Sequence, residues 1–85
     1  MRIEMFGIAR ARGGRDCVEL EATSLGEALA ALARAAPGLV PEVITGGALG
    51  AHYLASLNGE RFISDPATPL DPDDRLLILG AQAGG

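Results

Sequence analysis

The first stretch of the chain alternates apolar and polar positions, which is typical of a β-strand. Over residues 2–9, Ile3 and Met5 would point to one side of the strand, and Phe6 and Ile8 to the other. The pattern therefore predicts an N-terminal strand with one face in the core and a second apolar face left for something else.

A glycine-containing turn separates this strand from a second one. Residues 12–15 contain two adjacent glycines, which favour a turn. Residues 16–22 alternate again, with Val18 and Leu20 on one face. Because the two predicted strands are close in sequence, we expect them to pair as an antiparallel hairpin.

Apolar residues at helical spacing follow this hairpin. Ser24 with Glu27 three residues later matches the capping box that starts many helices. Arg34 suits the last turn, where the helix dipole favours a cation, and Pro37 with Gly38 ends the element. The apolar stripe of this predicted helix consists of Leu25, Ala28, Leu29, Leu32 and Ala36.

The second half of the chain predicts two strands joined by a tight turn. Residues 38–51 contain several glycines and a proline, so we expect a loop there. Residues 52–57 are expected to form a strand, and residues 60–64 a shorter one. Asn58-Gly59 between them is the strongest turn signal in the chain.

The last part of the chain combines a surface loop with a buried strand. Residues 65–74 hold three prolines and several acids, with Leu70 as the residue that would reach the core. Residues 75–79 form a compact apolar run typical of a central strand. A hairpin, a helix and further strands, with the last strand parallel to the first, make a β-grasp arrangement. The predicted fold class is α+β, ubiquitin-like β-grasp, with a mixed sheet of four to five strands and one main helix packed on one face.

Length and charge limit what the chain can be. Its 85 residues make a single domain, and 48% of them are hydrophobic, which is enough for a packed core. We expect residues 1–80 to form the β-grasp domain and residues 81–85 to be a flexible C-terminal Gly-Gly tail. The net charge is −4, all basic residues are arginine, and lysine is absent. Since nucleic-acid binding requires excess positive charge, that partner class is not expected.

Several kinds of chemistry have too few residues to support them. Cys17 is the only cysteine, so no internal disulfide is expected. His52 is the only histidine, which is too few for a histidine-based metal site or a catalytic triad. No apolar run of about 18 residues and no signal peptide are evident, so the expected location is the cytoplasm, with no membrane partner. We therefore expect no metal site and no enzymatic activity of the chain itself.

The chain ends in two glycines, and their chemistry is specific. Without a Cβ, a Gly-Gly tail can enter a narrow slot in a partner protein. There the carboxylate of Gly85 could attack the α-phosphate of ATP, and the acyl-adenylate could then be converted to a thiocarboxylate. The alternative is that Gly84 and Gly85 are an ordinary terminus with no function.

The sequence resembles the MoaD/ThiS family of sulfur carriers, which are prokaryotic relatives of ubiquitin. The similarity runs over nearly the whole length and is weakest in residues 38–51. The residues that carry it are Met5-Phe6-Gly7-Ile8-Ala9-Arg10, Leu57-Asn58-Gly59, Pro69-Leu70, Asp73-Asp74 and Gly84-Gly85.

The resemblance implies a function as well as a fold. It implies adenylation of Gly85 by an E1-like enzyme that uses ATP, with no cofactor bound stably to the carrier. A sulfur donor of the cysteine desulfurase or rhodanese type would supply the sulfur. The Phe-x-x-Ala-Arg start at Phe6 and the overall length favour the molybdopterin branch, in which the carrier is the small subunit of molybdopterin synthase and the large subunit receives its tail.

Other functions remain open at this point. A sulfur carrier for thiamine, cysteine or thionucleoside synthesis would use the same chemistry. A protein modifier conjugated through Gly85 would share the adenylation step. A passive β-grasp interaction module would have accidental glycines and no activation step.

The resemblance also implies a partner surface on the sheet face away from the helix. If Leu76 and Ile78 face the helix, the alternate residues of the last strand face the partner. The opposing interpretation is that Phe6 and Phe62 simply fill the core. The predicted partner-binding residues are Phe6, Phe62, Leu77, Leu79, Ala81, Gln82 and Ala83.

Overall fold

The computed structural model describes residues 1–81, which form one five-stranded sheet, two helices and a small two-stranded ribbon. The strands are β1 (Arg2–Met5), β2 (Cys17–Glu19), β3 (Ile44–Thr45), β4 (Ala48–Leu49), β5 (Tyr53–Leu57), β6 (Arg61–Ile63) and β7 (Arg75–Gly80). The helices are α1 (Gly7–Gly13) and α2 (Leu25–Ala35), and a 3₁₀ turn (Pro37–Leu39) follows α2.

The main sheet has the order β2-β1-β7-β5-β6, which places β7 at its centre. β1 and β7 run parallel, with Ile3 opposite Leu76 and Met5 opposite Ile78. The other neighbouring pairs in this sheet are antiparallel. The prediction of an α+β ubiquitin-like β-grasp with a mixed sheet is therefore confirmed.

The core lies between this sheet and α2. The side chains of Ile3, Met5, Leu76 and Ile78 are at most 1% exposed on the sheet side. The predicted apolar stripe of α2 is buried along its whole length, from Leu25 to Ala36. Burial of this stripe is what fixes α2 across one face of the sheet, since a helix this short is not stable by itself in water.

The start of α2 follows the predicted capping pattern. The hydroxyl oxygen of Ser24 accepts a hydrogen bond from the backbone N–H of Glu27 at 3.2 Å. The Glu27 carboxylate accepts bonds from the backbone N–H and the hydroxyl of Thr23, at 2.9 and 2.8 Å. These bonds lower the pKa of Glu27, first through the backbone of Thr23 and then through its hydroxyl.

The predicted strand over residues 2–9 is wrong in its second half. β1 ends at Met5, and α1 begins at Gly7, whose φ of 58° turns the backbone out of the strand. Ala9 of α1 is buried, and Gly14 ends the helix in the left-handed conformation. The sequence from Ala9 to Arg12 alternates two good helix formers, so helical propensity is favourable there.

β2 is also shorter than the predicted strand over residues 16–22. It pairs antiparallel with β1 as expected, with Glu4 opposite Cys17 and Arg2 opposite Glu19. The two strands are connected by α1, where the sequence predicted only a turn over residues 12–15.

The segment from 38 to 51 is more ordered than the predicted loop. After the 3₁₀ turn, β3 and β4 form a short antiparallel ribbon around Gly46 and Gly47, both with positive φ. Leu39 and Val43 are fully buried and attach this segment to the core. Leu70, in the acidic loop, is 6% exposed and fills the core as predicted.

Candidate functional site

The C-terminal tail continues from the central strand of the sheet. β7 is paired on one side with β1 and on the other with β5. Just after β7, the Ala81 N–H donates to the carbonyl oxygen of His52 at 2.7 Å. Ala81 is exposed, and Gln82, Ala83, Gly84 and Gly85 lie outside the described residues. The start of the tail is thus held by a strand that has hydrogen-bonded neighbours on both sides.

The two leucines of β7 that were predicted to face a partner point away from α2. Leu76 and Ile78 are fully buried, whereas Leu77 and Leu79 are half-buried on the opposite face. Leu77 lies between Glu4 on β1 and Ser56 on β5. The predicted orientation of β7 is therefore confirmed.

Phe62 lies on the same outer face. It pairs with Ser56, which pairs in turn with Leu77, and residues opposite one another in a sheet share a face. The side chain of Phe62 is 63% exposed. The alternative that Phe62 fills the core is therefore wrong.

Phe6 reaches this face although β1 ends before it. Its backbone is extended, and its N–H donates to the Ile78 carbonyl at 3.0 Å, which continues the parallel ladder by one residue. Since Met5 points into the core, Phe6 points outward beside Leu79, and it is 42% exposed. The core-filling alternative is wrong here too. Ile8 is 62% exposed, but it lies on α1, so its predicted place on the sheet is wrong.

One residue of this surface was not among the predicted partner-binding residues. Leu54 pairs with Leu79 and is half-buried on the outer face. The alternation of residues 52–57 carried this signal, because Tyr53, Ala55 and Leu57 occupy the other face. We call this surface the outer patch and define it by five outward apolar side chains: Phe6, Leu54, Phe62, Leu77 and Leu79.

Charged residues border the outer patch at the end of the sheet where β7 begins. The Glu4 carboxylate lies 3.1 Å from Arg2 Nε and 3.6 Å from Arg75 Nη1. Arg2 Nη1 is 3.8 Å from the carboxylate of Glu19. Exposed pairs of this kind contribute little to stability. They give the patch a polar rim, as partner surfaces usually have.

The Asn58 turn and the acidic loop are joined by side-chain hydrogen bonds. The Asn58 amide Nδ2 donates to Asp74 Oδ1 at 2.9 Å, and its Oδ1 accepts from the Arg75 N–H at 2.8 Å. The Asp71 N–H donates to the other oxygen of Asp74 at 2.8 Å. The bond from Asn58, and then the one from Asp71, lower the pKa of Asp74. Two residues quoted for the family resemblance therefore hold the start of β7 in place.

Two kinds of feature are absent from the part of the chain that the structure describes. Among residues 1–81, no three His, Cys, Asp or Glu side chains are grouped so that they could hold a metal ion. Within that range, neither helix is long and apolar enough to cross a membrane.

Comparison with known proteins gives a consistent fold. A scan against protein-family models and a search of curated proteins each found no match. Among solved structures, small archaeal modifier protein 1 (SAMP1) from Haloferax volcanii is 25% identical with a TM-score of 0.83, covering 99% of this chain and 97% of that one. A chain of the Amycolatopsis orientalis BexX/CysO complex is 20% identical with a TM-score of 0.80, covering 99% and 98%.

A third structure, the solution structure of SAMP1 from Methanosarcina acetivorans, is 20% identical with a TM-score of 0.81 and covers 99% of this chain and 94% of that one. The chain therefore shares the ubiquitin-like β-grasp fold of SAMP1 and CysO. None of these structures distinguishes the molybdopterin branch that the sequence favoured.

Proposed function

We propose that this chain is a ubiquitin-like carrier whose C-terminal carboxylate, at Gly85, is activated by a partner enzyme and then transfers sulfur. The observation that carries the proposal is the position of the outer patch. Four of its five apolar side chains lie on β7 or next to it, and Phe62 lies one strand further out, on β6. β7 is the central strand, and it leads directly towards Gly84 and Gly85. A partner that grips this patch would hold the tail in a defined direction.

The outer patch supports protein binding more than a structural role. Phe6 and Phe62 are exposed aromatic side chains on a face that no part of the described chain covers. Exposed clusters of this kind mark interfaces, and aromatic residues supply much of the binding free energy. The adjoining tail residues Ala81, Gln82 and Ala83 would lie along the same partner.

The chemistry requires no catalytic side chain from the carrier. A carboxylate oxygen of Gly85 attacks the α-phosphorus of ATP, pyrophosphate leaves, and an acyl-adenylate forms. A persulfide on a sulfur-donor protein, of the cysteine desulfurase or rhodanese type, then attacks the carbonyl carbon and AMP leaves. Cleavage of the acyl disulfide by a thiol leaves a thiocarboxylate on Gly85. ATP and the catalytic groups belong to the E1-like partner, so we do not assign the chain an activity of its own.

The acceptor of the sulfur is the finer part of the proposal. The resemblance at the Phe6 motif supports molybdopterin synthesis, with the large synthase subunit as the acceptor. Likeness to a chain of the BexX/CysO complex supports a different destination, such as cysteine synthesis, equally well. Thiamine and thionucleoside synthesis use the same terminal chemistry and remain alternatives.

A second function, protein modification, is supported by a different observation. Two of the structural neighbours are called small archaeal modifier proteins. In this function a lysine amine of a target protein attacks the activated Gly85 carbonyl in place of sulfur. Both functions share the adenylation step.

The test is adenylation of the purified 85-residue chain by the E1-like enzyme of its source organism. We expect ATP–pyrophosphate exchange that depends on the carrier, and loss of exchange when Gly85 is deleted or when one alanine is added after it. Val40→Ser, which changes an exposed residue outside the outer patch, is the matched control and should exchange normally. Equal exchange with and without Gly85 would exclude both functions and favour a passive interaction module.

Intact-mass spectrometry then separates the two functions. A sulfur carrier isolated from its host should show the mass increase of one oxygen replaced by sulfur at its C-terminus. A modifier should instead appear in high-mass conjugates that contain a Gly85–lysine bond.

A further inference from the structure

Helix α1 lies at the end of the sheet from which the tail leaves. Its N-cap residue, Phe6, is bonded to the carbonyl of Ile78, two residues before β7 ends. The segment after α1 returns to the same end of the sheet, because the Met5 N–H donates to the Asp16 carbonyl at 2.9 Å. Both ends of the segment from Gly7 to Asp16 therefore lie at the end of the sheet where β7 leads into the tail.

This segment carries a concentration of positive charge. Arg10, Arg12 and Arg15 are all exposed, and Asp16 is the only acid among residues 7–16. Within residues 1–81, the ion pairs of the structure involve Arg2 and Arg75, not these three arginines. The net charge of the segment is thus positive, on a chain whose total charge is −4.

The acids are concentrated at the other end of β7. Asp71, Asp73 and Asp74 immediately precede this strand, and the Asp74 carbonyl accepts a bond from the Arg2 N–H. β7 has six residues and therefore spans about 20 Å. Arg2 and Arg75 also lie at this end, but they are paired with Glu4 and Glu19, so the three aspartates leave it negative. The segment at the end from which the tail leaves is positive.

The positive segment is also continuous with apolar surface. Ile8 is 62% exposed on α1, and Arg12, four residues later, lies on the same side of the helix. Phe6, at the start of α1, belongs to the outer patch. Arg10 and Arg15 line a shallow depression together with Asp16. Arginine beside apolar residues is a common composition for a protein interface.

We propose that α1 and the turn after it form a basic docking surface that binds an acidic surface of the adenylating partner, at the entrance to the channel that receives the tail. We call this surface, made of Ile8, Arg10, Arg12 and Arg15, the basic surface. The inference rests on the proposed function, because the partner is the enzyme that activates Gly85. The opposite charges at the two ends of β7 orient the carrier so that it approaches with the tail first.

An acidic protein surface fits these observations better than a nucleic acid does. The whole chain is negative, so a long polyanion would be repelled by the acids at the far end of β7. A protein partner meets only the positive end. Electrostatic attraction of this kind acts mainly on the association rate and weakens as salt is added.

The experiment measures kcat/KM for the carrier in ATP–pyrophosphate exchange with its adenylating enzyme, at low and high salt. Arg12→Glu/Arg15→Glu reverses two charges of the basic surface. Arg34→Glu/Arg61→Glu is the matched control, because it changes the net charge by the same amount. Each variant also replaces one arginine in the last turn of a helix, Arg12 in α1 and Arg34 in α2. Circular dichroism and thermal unfolding establish that both variants are folded.

We expect the basic-surface variant to lose about tenfold in kcat/KM relative to the control at about 0.01 M ionic strength, where charges act over about 30 Å. The difference should nearly vanish at about 1 M, where screening limits them to about 3 Å. Arg12→Lys/Arg15→Lys keeps the charge and should keep the rate. Equal kcat/KM for the two Glu variants at low salt, or a loss that salt does not remove, would overturn the inference. The proposed function fails separately, if the unmodified chain supports no exchange at all.

Discussion

Asn58 and Asp74 are 16 positions apart in sequence, yet the Asn58 amide donates a 2.9 Å hydrogen bond to the Asp74 carboxylate. The same asparagine accepts a bond from the Arg75 N–H and adopts a positive φ of 58°, beside Gly59 at 71°. One side chain therefore ties the β5–β6 turn to the first residue of β7. Since β7 leads to the tail, this link fixes the strand on which the proposed function depends.

The first prediction concerns this link. Asn58→Gly keeps a residue that tolerates positive φ but removes both side-chain bonds, so it should lower the free energy of unfolding by about 1–2 kcal/mol. Asp74→Ala should cost a similar amount. Because each change breaks the same bond, the double variant should be less destabilised than the sum of the two single variants. Urea unfolding of the three variants checks this, and strict additivity would show that the bond contributes nothing.

The second prediction is a pH dependence of stability. The bonds from Asn58 and Asp71 lower the pKa of Asp74 below its ordinary value of 3.8. A carboxyl whose pKa is lower in the folded state stabilises the fold above its ordinary pKa, and this contribution is lost as the pH falls through the folded value. Glu27, whose pKa is also lowered, acts in the same direction.

The expected result is a free energy of unfolding that declines as the pH falls from about 5 to about 2.5. Asp74→Asn should be less stable than the unmodified chain at neutral pH and should show a shallower decline, because residue 74 can no longer titrate. Unfolding measured at a series of pH values checks this. Parallel curves for the two proteins would mean that Asp74 does not contribute to the pH dependence.

Features that depend on neighbouring residues could be predicted from the sequence. The capping pattern of Ser24 and Glu27 and the turn at Asn58 and Gly59 involve atoms a few positions apart, and both appear as expected. The outward orientation of Leu77 follows from simple alternation in β7. The main helix, the last strand and most of the outer patch follow from such local signals.

Features that depend on distant residues or short elements could not be predicted in the same way. The segment from Gly7 to Arg10 fits strand alternation as well as a helix, and burial of Ala9 against the core decides between them.

 Ala9 is fully buried there, which is a tertiary contact that no local pattern records. β3 and β4 have two residues each, too few to show a period. The partner of Asn58 lies in a loop far along the chain, so the turn was predictable and its link to Asp74 was not.

The third prediction tests how α1 is held against the rest of the fold. A Cβ added at Gly38 would overlap the backbone carbonyl oxygen of Arg12, near the end of α1. Gly38→Ala should therefore push α1 away from the 3₁₀ turn and destabilise the protein by about 1–3 kcal/mol. Gly46→Ala is the control for adding a methyl group, because its Cβ meets open space and its cost comes only from the positive φ.

Thermal unfolding of the two variants checks this contact. A Gly38→Ala protein as stable as the unmodified chain would show that the backbone at this point shifts without cost. Because α1 carries the basic surface, Gly38→Ala should also alter the salt dependence of the exchange reaction, whereas Gly46→Ala should not.

The fourth prediction separates binding from stability on the outer patch. Phe62 is 63% exposed, so Phe62→Ser should change the free energy of unfolding by no more than about 0.5 kcal/mol. Loss of an aromatic anchor from an interface costs about 1–2 kcal/mol of binding, so KM for the carrier should rise about tenfold. Val40→Ser changes another exposed apolar residue, 48% exposed, that lies outside the patch, so its KM should not change.

A core substitution gives the opposite result and completes the comparison. Leu76→Ala removes a fully buried side chain on the inner face of β7 and should cost about 2–5 kcal/mol of stability. At a temperature where this variant is still folded, its KM should stay close to that of the unmodified chain, because Leu76 faces α2 and not the partner. If Phe62→Ser and Val40→Ser raise KM equally, the partner does not bind the outer patch. The tail would then have to be recognised without the sheet face beside it.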